Sequence, residues 1–243
     1  MVISGTKIII TGGASGIGRA FARSLGEAGA TCWVLDKDLP EDRLTNCEYL
    51  KCDISDEHQV TKVVADIDSE SGGIDVLVNN AAILRDQVLV GRLGKRVKKH
   101  DSADWHDTLG TNLTGTFLMA RETCHSMICR KKAGVIVNIS SISAAGNAGQ
   151  SAYAASKAAV SALTVTWAKE LANYKIRVAG IAPGFVETGM TKNIPPMFLS
   201  QIRNLSPLKR FGTLEEFGHA IKYVIENDYF HGKTLELDGG IRF

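Results

Sequence analysis

No apolar run in this 243-residue chain reaches the roughly 20 residues that a membrane helix needs, so a helical membrane protein is excluded. The opening Met1–Lys7 lacks the basic segment, apolar stretch and small-residue cleavage site of a secretory signal, and the expectation is a soluble, cytoplasmic protein. Charge of one sign is also missing. With 28 basic against 26 acidic side chains and a formal net charge of +2, no global field draws the chain to nucleic acid or to a membrane, and neither partner is expected. The five cysteines, Cys32, Cys47, Cys52, Cys124 and Cys129, are odd in number and show no Cys-x-x-Cys or Cys/His spacing. That excludes a disulfide framework and a structural zinc, and leaves buried free thiols as the expectation. Six histidines without a His-Glu-x-x-His pattern give no metal catalyst its ligands, so no metal is expected. Proline is scarce, at five residues, and no repeat or Pro/Ser-rich linker divides the chain, which points to a single domain over residues 1–243.

What is present is an alternation. Lys7 to Thr11 is a β-branched run that passes through Gly12-Gly13-Ala14-Ser15-Gly16-Ile17-Gly18 into a periodic stretch ending near Gly29. Further strands are expected at Thr31–Asp36, Glu48–Cys52, Ile74–Val78, Gly134–Ile139 and Ile176–Ile181. Helices are expected from Asp56 to about Ser71, as one long stretch from Ser102 to Lys132, and from about Ser151 to Asn173. Repeated βαβ units need right-handed crossovers, so the fold class is Rossmann-type doubly wound α/β: a parallel sheet of about seven strands with helices on both faces. Two segments look inserted, Leu84–Asp101 and Val186–Lys209.

Glycines at positions 12, 16 and 18 permit a tight turn and close approach of the backbone to a pyrophosphate, which would sit with Ser15 and Ile17 at the positive end of the next helix. Asp36 closes the second strand, where a carboxylate accepts the ribose hydroxyls of NAD and repels the extra phosphate of NADP. NAD is favoured on that ground. Lys37 leaves NADP open, because a cation there pairs with a 2′-phosphate if Asp36 turns away. Tyr153 and Lys157 lie four apart on a helix, so the ammonium can approach the phenol, whose unperturbed pKa near 10 is too high for a base at neutral pH. A fixed cation beside it favours the phenolate.

Thr11, Gly12, Gly16 and Gly18, Asn79-Asn80-Ala81-Ala82, Tyr153-Ala-Ala-Ser-Lys157 and Pro183-Gly184 resemble the motifs of the short-chain dehydrogenase/reductase family, and the match runs from Thr6 to the C-terminus. The resemblance implies that Asp53, with Ile54, holds the adenine ring, that Asn80, Ala81 and Ala82 lie against the ribose, and that Pro183, Gly184, Val186 and Thr188 bind the nicotinamide. Ala82 stands where the family pattern has glycine. Also by resemblance, Tyr153 exchanges the substrate proton, Lys157 assists it, Asn112 holds a water in the proton relay, and a serine binds the substrate oxygen. Strand register places that serine at Ser141, three residues after Asn138, whereas counting back from Tyr153 gives Ser140. Ser141 is the expectation because a loop absorbs a deletion more easily than a strand does, with Ser143 a distant third.

Around this core, Val186–Lys209 carries Met190, Ile194, Met197, Phe198, Leu199 and Ile202, suited either to a lid over an apolar substrate or to an ordinary short helix. Leu84–Asp101 holds Arg92, Lys95, Arg96, Lys98, Lys99 and His100, which reads as a solvated charge run or as a flank of the active-site mouth that attracts coenzyme A phosphates or an acidic acyl carrier protein. The tail, from Ser206-Pro-Leu-Lys-Arg-Phe-Gly to Leu237-Asp-Gly-Gly-Ile-Arg242, resembles that of type 2 3-hydroxyacyl-CoA dehydrogenases. The expected reaction is therefore oxidation of a 3-hydroxyacyl-CoA. A 3-oxoacyl-[acyl-carrier-protein] reductase and a steroid or small cyclic alcohol dehydrogenase are the alternatives, with a non-enzymatic nucleotide-binding scaffold far behind. A homotetramer is implied by the same resemblance, with the helices from Ser102 and Ser151 at one interface and the C-terminal strand at another.

Overall fold

The computed structural model describes residues 1–94, 96–187 and 196–241, without the side chains of Leu93 and residues 196–199. β1 (Lys7–Thr11) shows how the sequence builds the sheet. Its three consecutive isoleucines alternate sides, so Ile8 and Ile10 enter one core while Ile9 enters the other, and all three are fully buried. The same alternation repeats in β2 (Thr31–Asp36), where Cys32 and Val34 face one core and Trp33 and Leu35 the second. A strand greasy on both sides needs a helix layer on each face. The first layer contains α1 (Gly16–Glu27), which contributes Phe21 and Leu25. The opposite layer contains α2 (Glu57–Ser71) through Val60, Val64 and Ile67.

β3 (Cys47–Lys51), β4 (Val76–Asn79), β7 (Gly134–Ile139), β8 (Ile176–Pro183) and β9 (Thr234–Leu237) complete one seven-stranded parallel sheet in the order β3-β2-β1-β4-β7-β8-β9. The strand order reverses between β1 and β4, which leaves a crevice at the carboxyl ends there. This is the expected doubly wound sheet. α7 (Leu214–Glu226) packs beside α1 and starts with a capping box in which Thr213 and Glu216 satisfy each other's exposed ends. Among the described residues no helix is long and apolar enough to cross a membrane.

Two expectations need correction. The helix expected over Ser102–Lys132 is α3 (Ser102–Leu109), a π-helical turn over Gly110–Gly115 and α4 (Thr116–Cys129). A π turn widens the helix by one residue, and hydrophobic periodicity cannot reveal it because the apolar stripe resumes afterward. The segment Leu84–Asp101 contains a β-hairpin, β5 (Val90–Leu93) with β6 (Arg96–Lys99), which its charge had disguised. The cysteines also divide: Cys32, Cys52 and Cys124 are buried as expected, but Cys47 is half-buried and Cys129 is exposed.

Candidate active site

Thr11 ends β1, and its buried hydroxyl accepts the backbone N–H groups of Asn80 and Ala81, each at 3.0 Å. The Asn80 amide reaches back to the carbonyls of Thr11 and Gly12 at 3.0 and 2.9 Å. The loops that follow β1 and β4 are thereby laced together, and the glycines make it possible. Gly12 has φ +65, and a Cβ there would lie 2.6 Å from the Ala81 Cα, while a Cβ on Gly18 would collide with the Gly12 carbonyl and the Asn80 amide. Beside this knot α1 begins without a cap. The Ser15 hydroxyl makes no capping bond and the first turn holds no acidic side chain, so the positive helix end remains available to an anion.

A cleft of 420 Å³ opens over these loops, lined by Gly12, Ser15, Gly16, Ile17, Gly18, Asp36, Asp53, Ile54, Asn80, Ala81 and Ala82 on one side. Its other half includes Ser140, Ser141, Ser143, Tyr153, Lys157, Pro183, Gly184 and Val186. Thr188, and Met190 and Ile194 of the expected lid, lie outside the described residues. What the structure describes of that segment includes α6 (Pro196–Leu205), a ten-residue helix.

At the end of β2 Asp36 is held by two backbone donors, Ala14 N–H at 3.1 Å and Asp38 N–H at 3.4 Å. Lys37 also lines the cleft, with its ammonium 2.8 Å from an Asp53 carboxylate oxygen. Burial works to raise the Asp53 pKa, but the bonds from Lys37 and Ser55 outweigh it and hold the carboxyl below the usual carboxylate range.

The two adjacent serines have different surroundings. Ser140 is buried, bonds the Lys157 carbonyl at 3.0 Å and lies 2.7 Å from the Ser161 hydroxyl, so its oxygen is committed to α5 (Ser151–Leu171). Ser141, two residues beyond the strand, accepts Ser143 N–H at 3.1 Å and stands close enough to Tyr153 to pull the phenol's pKa down. Ser143 is a buried member of the short 3₁₀ turn that Ser141 caps.

Tyr153 and Lys157 project from one face of α5, with the ammonium 5.7 Å from the phenol ring centroid. That face buries Ser156, Lys157 and Thr164 among Ala152, Val160 and Trp167, and polar side chains inside a buried stripe are its most informative feature. Lys157 is only 3% exposed and donates to the Ile139 carbonyl at 2.7 Å; burial lowers its pKa from 10.5 to about 8. Burial also raises the Tyr153 pKa, Ser141 pulls it down, and the charge of Asp86 pushes it up again. The net direction is raised, with desolvation the largest cause.

Asn112 stands behind the cleft wall rather than in it. Fully buried in the π turn, its side chain accepts Ile83 N–H at 2.8 Å and donates to the Ile83 carbonyl and to Ser156 Oγ, at 3.0 and 3.2 Å. Sequence reasoning missed Thr111, Asn147, Gln150 and Phe185, which also line the cleft. It missed as well a buried chain in which Asn79 donates to Asn138 and Asn138 to Thr164, each at 3.0 Å, pinning β4 and β7 to α5. An asparagine inside each apolar strand was the available signal.

The residues fit a dinucleotide, since an uncapped helix start, the carboxylate of Asp36 held at the end of β2 and a buried ammonium with spare donors meet in one crevice. Fold and cleft define the class as an oxidoreductase that works with a nicotinamide dinucleotide at the carboxyl ends of a parallel sheet. Known proteins narrow the class. The family model for short chain dehydrogenase matches residues 6–197, and the chain belongs to the short-chain dehydrogenase family, an enzyme acting on CH–OH groups. Its relatives include the 3-oxoacyl-[acyl-carrier-protein] reductase FabG of Thermotoga maritima, 38% identical over 255 aligned residues that cover 99% of each chain. The 3-oxoacyl-[acyl-carrier-protein] reductase of Homo sapiens is 36% identical over 240 residues, 96% of each chain, and carbonyl reductase family member 4 of Xenopus tropicalis 34% over 244, 98% of each.

Proposed function

We propose that this enzyme reduces a 3-oxoacyl thioester, carried on an acyl carrier protein, to the 3-hydroxyacyl thioester, using NADH. The observation that carries the reading is the placement of Tyr153, which lines the cleft together with Ser141 and Lys157, the ammonium 5.7 Å from its ring centroid. A phenol so placed beside a serine hydroxyl suits proton donation to a ketone oxygen. The relatives' names favour the carrier-protein substrate over the coenzyme A substrate that the tail suggested. That tail also has a structural explanation: Ser206 is buried and bonds the Gly239 carbonyl at 3.0 Å, tying the segment to the C-terminal loop whatever the substrate.

When bound, the nicotinamide supplies the hydride to the ketone carbon. Tyr153 donates its proton to the ketone oxygen, and the Ser141 hydroxyl steadies the charge that develops there. Lys157 lies behind the phenol as a cation and returns a proton to it. Its ammonium also serves the ribose end of the dinucleotide, together with the turn of Asn80, Ala81 and Ala82. Gly12, Ser15, Gly16, Ile17 and Gly18 hold the pyrophosphate. Asp53 and Ile54 take the adenine, and Pro183, Gly184, Val186 and Thr188 take the nicotinamide. In the relay proposed for Asn112 the side chain is a positioning group, since its amide is committed to Ile83 and Ser156. NADH over NADPH is supported by Asp36 facing the cleft and by Lys37 being engaged with Asp53. A cytoplasmic location fits five free thiols, and a homotetramer fits the apolar Phe117 and Val165, each 43% exposed on α4 and α5.

Steady-state reduction of an acetoacetyl-carrier thioester, followed by loss of dinucleotide absorbance, tests the proposal. Turnover with NADH exceeding that with NADPH is expected; no oxidation of either dinucleotide by any 3-oxoacyl thioester would refute it.

A further inference from the structure

The hairpin β5–β6 is unusual for this molecule, because it has no core. Val88, Leu89, Val90 and Val97 are 54, 72, 58 and 60% exposed, and every described residue of β6 faces solvent. Two strands with no sheet or helix against them are marginal in water, so this element is built to be covered.

Register identifies the surface it offers. Val90 pairs with Lys99 and Arg92 with Val97, which places two valines and two cations together on one face, while Lys98 and Arg96 share the other. None of Arg92, Arg96, Lys98 and Lys99 makes an ion pair among the described residues. The segment Leu84–Asp101 holds six basic and two acidic side chains, a formal +4 in a chain whose net is +2, so everything outside it sums to −2. Such segregation argues against self-pairing about a two-fold axis, where equal charges would meet, and in favour of an acidic partner.

Position supplies the rest. Asn112 clamps Ile83 at one root of the insert, and Leu84 lines the cleft. Gln87 bridges Gln150, whose amide donates to Asp86 at 3.2 Å, and Gln150 lies three residues before Tyr153 in the same cleft wall. The hairpin therefore stands at the mouth through which a thioester arm must pass.

We propose that the β5–β6 hairpin is the docking surface for the acidic carrier protein, with Arg92, Arg96, Lys98 and Lys99 meeting its carboxylates and the exposed valines its apolar patch. This rests on the carrier-thioester reading above. The test compares kcat/KM for acetoacetyl-carrier and for acetoacetyl-pantetheine, which has no protein, in the wild type and in a variant combining Arg92→Gln, Arg96→Gln, Lys98→Gln and Lys99→Gln. The expected result is a loss of about tenfold with the carrier substrate, mainly in KM and shrinking as salt is added, with the pantetheine substrate unchanged. A Lys98→Gln/Lys99→Gln variant, less exposed to misfolding, should show an intermediate loss. Titration of isotope-labelled holo-carrier, followed by NMR, reads docking without turnover and should lose its shifts in the fourfold variant. Unaltered carrier kinetics and binding would overturn the proposal. An equal loss with acetoacetyl-CoA, which would make the surface a reader of coenzyme phosphates, would overturn it too. So would binding to phosphatidylglycerol vesicles that disappears in the variant while carrier kinetics stay intact. Failure of the wild type to reduce even the pantetheine thioester would instead refute the reaction assigned to the site.

Discussion

The dinucleotide side of the cleft and the hairpin at its mouth are built on opposite terms. Around Thr11, Asn80 and Gly12 almost every polar atom is tied to another loop, and a single added methyl group on Gly12 or Gly18 has no room. The hairpin has two strands, a Gly94 turn at φ +60 with nothing near it, and no core beneath it. Chemistry that tolerates no displacement sits where many contacts over-determine the backbone, whereas recognition is left to an element that a partner can complete.

The sharpest way to break this contrast is inside the rigid half. Tyr153→Phe removes the proton donor and keeps the ring, so kcat should fall by about 10³-fold while dinucleotide affinity, measured by calorimetry, stays within a few-fold. Next comes the serine pair. Ser141→Ala should lower kcat by about 10²-fold and lower the thermal midpoint only slightly, through loss of the cap on the short 3₁₀ turn. Ser140→Ala should do the reverse, retaining activity within a few-fold but destabilising the fold by about 1 kcal/mol, because Ser161 loses its buried partner. Equal effects at both positions would erase the division of labour between them.

A smaller effect is expected at the adenosine end. Asp36→Asn should cut the NADH-over-NADPH preference by about tenfold in kcat/KM, since the charge that repels a 2′-phosphate is gone. The last prediction concerns pH. Lys157 has its folded-state pKa lowered from 10.5 to about 8, so below pH 8 the fold contains a buried cation that it disfavours, and that penalty is relieved as pH rises from about 8 to 10.5. Reduction that needs the ammonium should decline over the same window. Lys157→Met should therefore abolish activity yet raise stability at pH 7 by about 2 kcal/mol in denaturant titration, and its stability should no longer rise above pH 8.

The sheet was legible because strands buried on both sides, such as Ile8-Ile9-Ile10, leave little choice of structure, and the glycine turn and the Tyr153–Lys157 spacing follow from local geometry. Ser141 could be preferred over Ser140 by strand register, and the two hydroxyls have different partners, Ser140 bonding the Lys157 carbonyl and Ser141 accepting Ser143 N–H. Other features depend on contacts across distant segments. The π turn at Gly110–Gly115 exists where Asn112 reaches Ile83, and no local pattern announces it. The hairpin was obscured because its valines share a face with cations, which leaves no purely apolar face to identify the strands. Sequence spacing put Lys157 near the phenol but could not show how deeply the ammonium is buried, nor that burial pushes the phenol's pKa up.

Labelling tyrosine at the carbon bearing the hydroxyl and titrating the protein by NMR, with Tyr153 assigned through Tyr153→Phe, measures that placement directly. The phenol should titrate above its ordinary value near 10, and higher still in Ser141→Ala, but not in Ser140→Ala. A Tyr153 that ionises below pH 8 without added dinucleotide, or that responds to Ser140 rather than Ser141, would contradict the account of this site as a poised proton donor.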